Sequence, residues 1–84
     1  MNIHHLVTMA NQIGTFFASY PDQDEANMEI ANHLKRSWAP TMRRQLLAHI
    51  AEHNGEGLSE PVLRAISANL ASLTPAPAVA PASA

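Results

Sequence analysis

Residues 33–50 read HLKRSWAPTMRRQLLAHI. Leu34 and Trp38 stand four apart, as do Met42 and Leu46, and Leu47 and Ile50 extend the second stripe, so each half fits one face of an α-helix. Between the halves, Ala39 precedes a proline and is biased toward extended backbone. Pro40 suits the first position of a helix, where its missing N–H would have had no intrahelical partner. The stretch is therefore two helices joined by a very short turn at Trp38-Ala39-Pro40.

Upstream, Asp22 followed three residues later by Glu25 carries a capping-box signature that opens the first of these helices, which turns Ala26, Ile30, Ala31, Leu34 and Trp38 inward. Acid at its start and Lys35 and Arg36 at its end suit the helix macrodipole. Further upstream, Ile3, Leu6, Val7, Ala10, Ile13, Phe17 and Tyr20 recur every three or four residues opposite His4, Thr8, Asn11, Thr15 and Ser19. This predicts an amphipathic helix closed by Pro21.

Downstream, Asn54, Gly55 and Gly57 stop the helix that Pro40 begins. Ser59 caps a fourth, with Leu58 and Leu63 at the spacing of a hydrophobic staple and Val62, Leu63, Ile66, Leu70 and Leu73 on its apolar side. From Thr74 onward the chain is Ala, Pro, Ser and Val without charge, a composition that reads as an extended or disordered tail. The expectation is an all-α bundle of about four short helices over residues 1–73 and an Ala/Pro-rich tail over 74–84.

An 84-residue chain makes one small domain, which buries only about 60–65% of the surface its unfolded form exposes. It contains no cysteine, so no disulfide or thiolate metal site can staple it, and stability must come from packing or from a partner. The N-terminus lacks a cationic region followed by an apolar run, and nowhere do about eighteen apolar residues follow one another. The expected location is the cytoplasm, away from any membrane.

Charge is segregated. Lys35, Arg36, Arg43 and Arg44 are four of the five Lys and Arg residues, and all seven carboxylates fall outside residues 35–44. A cationic corner around one tryptophan reads as a docking surface. Arg43 and Arg44 occupy the start of a helix, where the macrodipole disfavours a cation by about 0.3–1 kcal/mol. Either the two guanidinium groups receive a partner's anionic group, or Asp22, Asp24 or Glu25 folds back to pair with them. Trp38 at a helix end is by type a core or core-edge residue, and one ring face on the core with the other on a partner satisfies both readings.

Other chemistry has little support. His49 and His53 stand four apart with Glu52 adjacent, a spacing that can bring two imidazoles to one metal. A working site wants three or four ligands, however, and surface histidines near a helix C-terminus explain the pair more simply. No nucleophile elbow and no glycine-rich strand-to-helix loop is present. A net charge of −2 fits poorly with a general nucleic-acid binder.

Several segments carry a resemblance. Met9-Ala10-Asn11-Gln12-Ile13 with Phe16 and Phe17, Ile30-Ala31-Asn32-His33, Trp38-Ala39-Pro40 through Met42-Arg43-Arg44, Leu46-Leu47-Ala48-His49 and Gly57-Leu58-Ser59 resemble the delta subunit of soluble NAD-dependent formate dehydrogenase. The likeness runs over roughly residues 1–70. The central motif of that family reads Phe-Trp-x-Pro-Arg-Met-Arg, and here Ser37 and Thr41 replace its first Phe and first Arg.

The resemblance implies a non-catalytic accessory subunit of a cytoplasmic enzyme that oxidises formate and passes electrons to NAD. It implies docking on the molybdenum-containing alpha subunit, and through it on beta and gamma subunits, in support of assembly, stability or cofactor insertion. The molybdenum or tungsten cofactor, iron–sulfur clusters, FMN and NAD would belong to the partner subunits and none to this chain. The expected contact set is Trp38, Arg43 and Arg44 with Lys35 and Arg36 at its rim, and Phe16 or Phe17 as a second apolar patch. Two alternatives stay open: a helical nucleic-acid-binding regulator using the basic turn around Trp38, and a metalloenzyme built on His49, Glu52 and His53.

Overall fold

A computed structural model describes residues 2–75, and within them all regular structure is helical. The elements are α1 (Ile3–Phe17), α2 (Gln23–Ser37), α3 (Pro40–His53), α4 (Glu60–Ala68) and a single turn, α5 (Leu70–Leu73). Most of the tail expected over residues 74–84 lies outside the described residues.

Local chemistry sets the helix ends. Asn2 caps α1 by accepting from the His4 amide at 2.7 Å. Asp22 caps α2 by accepting from the Asp24 and Glu25 amides at 2.9 and 3.3 Å, which satisfies two of the donors that every helix start leaves open. Trp38 and Ala39 are extended, with ψ of 133° and 153°, and Pro40 starts α3. At the other end of α3, Asn54 and Gly55 take the left-handed conformation at φ 57° and 68°, so the Gly55 amide returns to the His49 carbonyl at 3.3 Å and stops the helix.

Two boundaries differ from expectation. α1 ends at Phe17 rather than running on to Pro21. Tyr20 leaves the helix, donates its amide to the Phe17 carbonyl at 3.1 Å and sets its ring edge against Phe17 at 5.2 Å between centroids. The expected fourth helix breaks at Asn69, whose side-chain amide donates to the Ala65 carbonyl at 2.9 Å. After the break Leu73 is buried, while Leu70 is half exposed.

The core lies where α1, α4 and α5 pack on α2, with α3 laid against α1. It consists of Leu6, Ala10 and Phe17, then Ile30, Ala31, Leu34 and Trp38, then Leu46, and last Leu58, Val62, Ala65, Ile66 and Leu73; no polar or charged residue is buried among the described residues. α3 gives this core only Leu46. Met42, Leu47 and Ile50, expected on its buried stripe, are only partly covered.

The loop from α3 to α4 is held by a residue on the polar side of α1. Asn11 donates to the Gly57 carbonyl at 2.9 Å and accepts from the Ser59 amide at 2.8 Å. Ser59 caps α4 by backbone position alone, without a side-chain bond; Asn11 supplies a long-range substitute. Asn11→Ala would strand the partly buried Ser59 amide and free the loop, so it should cost about 1–3 kcal/mol. Urea unfolding followed by circular dichroism would measure this. A loss no greater than that of exposed Thr15→Ala would show that the clamp carries no stability.

Candidate protein-docking groove

The residues singled out by charge and aromatic character do not share one environment. Trp38 is 4% exposed and Phe17 is 9% exposed, so both are core residues. Phe16, one position on from the inward stripe of α1, is 70% exposed. Its ring meets Phe17 edge-on at 4.8 Å, so the exposed ring stands on the buried one.

The basic residues divide as well. Lys35 and Arg36 are exposed on the last turn of α2. Arg43 is half-buried and turned inward. Its Nη1 donates to the Leu73 carbonyl at 3.4 Å, and its buried Nε has no hydrogen-bond partner. Arg43 therefore ties the end of α5 to the first turn of α3. This accounts for a cation at a helix start: the open carbonyl at the end of one helix offsets the unfavourable dipole of the other.

The internal alternative, pairing of Arg43 with Asp22, Asp24 or Glu25, is not what forms. Asp22 is occupied as a cap, and the rise of about 1.5 Å per residue puts Asp24 roughly 20 Å along α2 from Trp38. Arg44 is half-buried. Exposed Arg64 and Glu60 form an ion pair at 3.4 Å on α4, which contributes little.

Between α1, the end of α2 and the start of α3 runs a mostly apolar groove of about 460 Å³. Met9, Gln12, Ile13 and Phe16 form one wall at the i, i+3, i+4, i+7 spacing of a helix face. His33 and Ser37 form the other, Met42 closes one end, and Trp38 and Phe17 line its base. His33 also meets the Phe17 ring at 6.4 Å. Phe16, 70% exposed, is left uncovered at the rim of this groove by the described chain. Removing a phenylalanine side chain fully from water is worth about 1.5–3 kcal/mol, a gain that the described fold leaves largely unrealised at Phe16.

Charge and aromatic content pointed to Trp38 and the phenylalanines. They did not point to Met9, Gln12, His33 or Met42, which become neighbours only when three helices are assembled. The adjacent pair Phe16-Phe17 was the available signal, since two consecutive rings cannot both face one core from a helix.

Within the histidine pair, His49 has a structural use. His49 Nε2 lies 2.7 Å from the Glu56 carbonyl, which can only accept, so Nε2 carries the proton. The His49 and His53 rings are 5.6 Å apart, and among the described residues no three His, Asp or Glu side chains converge as metal ligands. What His49 does is fasten the loop that follows α3.

The model of the family described as NADH-dependent formate dehydrogenase delta subunit, FdsD, matches residues 5–66. No curated protein and no solved structure matches the chain.

Proposed function

Because the chain belongs to the NADH-dependent formate dehydrogenase delta subunit family, we propose that it is a non-catalytic accessory subunit of that enzyme. It docks on the large molybdenum-containing alpha subunit, and through it joins the beta and gamma subunits. There it supports assembly, stability or cofactor insertion. The family match carries this reading, since residues 5–66 include α1, α2, α3 and most of α4.

Physical features support it. The chain has no cysteine, so thiolate-held clusters have no ligands here, and the molybdenum or tungsten cofactor, iron–sulfur clusters, FMN and NAD reside in the partner subunits. No described helix is long and apolar enough to cross a membrane, in keeping with a complex that works in the cytoplasm. In the proposed contact, Phe16, Lys35, Arg36 and Arg44 meet the partner, Trp38 and Phe17 support them from beneath, and Arg43 holds α5.

Co-expression of the large subunits with and without this chain tests the reading. The chain should co-purify with the alpha subunit, and omitting it should lower the yield of assembled enzyme and its formate-dependent NAD reduction several-fold. Equal assembly and activity without the chain, together with no co-purification, would sink it.

A further inference from the structure

We propose that the groove beneath Phe16 receives an amphipathic α-helix of the partner, which lays an apolar ridge between α1 and α2 and sets acidic side chains against Arg36 and the start of α3. This rests on the docking reading above and adds what the partner must present.

The occupant is argued from backbone chemistry and charge. The groove is apolar, and the described chain has no strand whose edge could pair with an extended segment. An extended segment would enter with its peptide groups unpartnered, whereas a helix satisfies its own. The wall from Met9 to Phe16 is two helical turns long, about 10 Å, the length over which two helices interlock ridge into groove.

Charge sets the flank. No carboxylate lines the groove. Arg36 lies three residues after His33 and one before Ser37, hence on the adjoining face of α2. α3 has Ala39 as its N-cap and so no side-chain cap, and its positive end opens near Met42. An acidic flank complements both.

The experiment places a photo-crosslinking phenylalanine analogue at position 16 of the full chain, co-expressed with the large subunit, and measures binding of the variants across a salt series. Phe16→Asp should weaken binding by roughly 30-fold or more. Arg36→Glu should weaken it about fivefold and flatten its salt dependence. Leu70→Asp, at an exposed apolar site outside the groove, should change neither. Crosslinks should map to one amphipathic helix with acidic flanks.

Crosslinks to an extended or basic segment, or between two copies of this chain, would overturn the proposal, as would unchanged binding by a folded Phe16→Asp variant. Failure of the wild-type chain to bind the large subunit would instead remove the docking reading itself.

Discussion

Trp38→Ala should cost the isolated domain about 3–5 kcal/mol, the usual loss when a large buried aromatic is truncated. The ring is 4% exposed at the joint where α2 ends and α3 begins, in the core that also holds Leu34 and Leu46, and it lines the groove. Its loss leaves a cavity at the one place where the chain reverses over two extended residues, which have little freedom to collapse inward. A domain of this size sits near the lower end of the usual 5–15 kcal/mol of stability. Urea unfolding should therefore find Trp38→Ala largely unfolded or close to its midpoint without denaturant.

The consequence for function is direct. Loss of complex assembly by Trp38→Ala would report a missing fold, not a missing contact. Trp38→Phe keeps the aromatic core and tests the groove base more gently, and Phe16→Asp tests the surface without entering the core. Partner binding raises apparent stability by mass action, so the unfolding measurement belongs on the chain alone. A Trp38→Ala variant within about 1 kcal/mol of wild type, the median effect of a point substitution, would contradict the buried placement.

The features that could be read from the sequence are those set by near neighbours. Asp22 as a cap, the Trp38-Ala39-Pro40 reversal and the stop at Asn54-Gly55 each follow from backbone rules acting over a few residues, and each is present. The break at Asn69 was not legible, because the apolar spacing continues unbroken from Val62 to Leu73 and reads as one helix face. Asn11 looked like any polar residue on an outer face, since its targets lie 46 and 48 residues away.

The candidate site divides on the same line. Charge segregation marked Lys35, Arg36, Arg43 and Arg44 as neighbours along the chain, and the fold divides them between exposed and half-buried positions. The inward turn of Arg43 depends on where α5 ends, and the groove depends on three helices and on the partial cover that α3 gives. Side-chain type alone assigned Trp38 to both core and interface; only packing could show that the ring is buried and lines the groove that Phe16 also lines.

Gly14→Val should destabilise the domain by an amount at the upper end of the 1–3 kcal/mol usual for overpacking. Gly14 lies inside α1, where glycine is intrinsically about 1 kcal/mol worse than alanine, so its presence needs a tertiary reason. A Cβ there would come within 2.7 Å of Val62 Cγ2 and 3.4 Å of Ser59 Oγ, with the Val62 amide nitrogen behind them at 4.0 Å. Val62 is fully buried, and a β-branched side chain has little rotamer freedom with which to retreat, so α4 itself must move. That movement would also pull Ser59 from Asn11 and loosen the clamp on the α3–α4 loop. Gly14→Ala separates the two effects, since the gain in helix propensity opposes the clash and the net change should be smaller. Adding Val62→Ala should recover part of the loss in the Gly14→Val background although it is destabilising alone, a coupling that a double-mutant cycle of urea midpoints would measure. Purely additive losses would mean that the close approach of α1 and α4 is not what selects glycine.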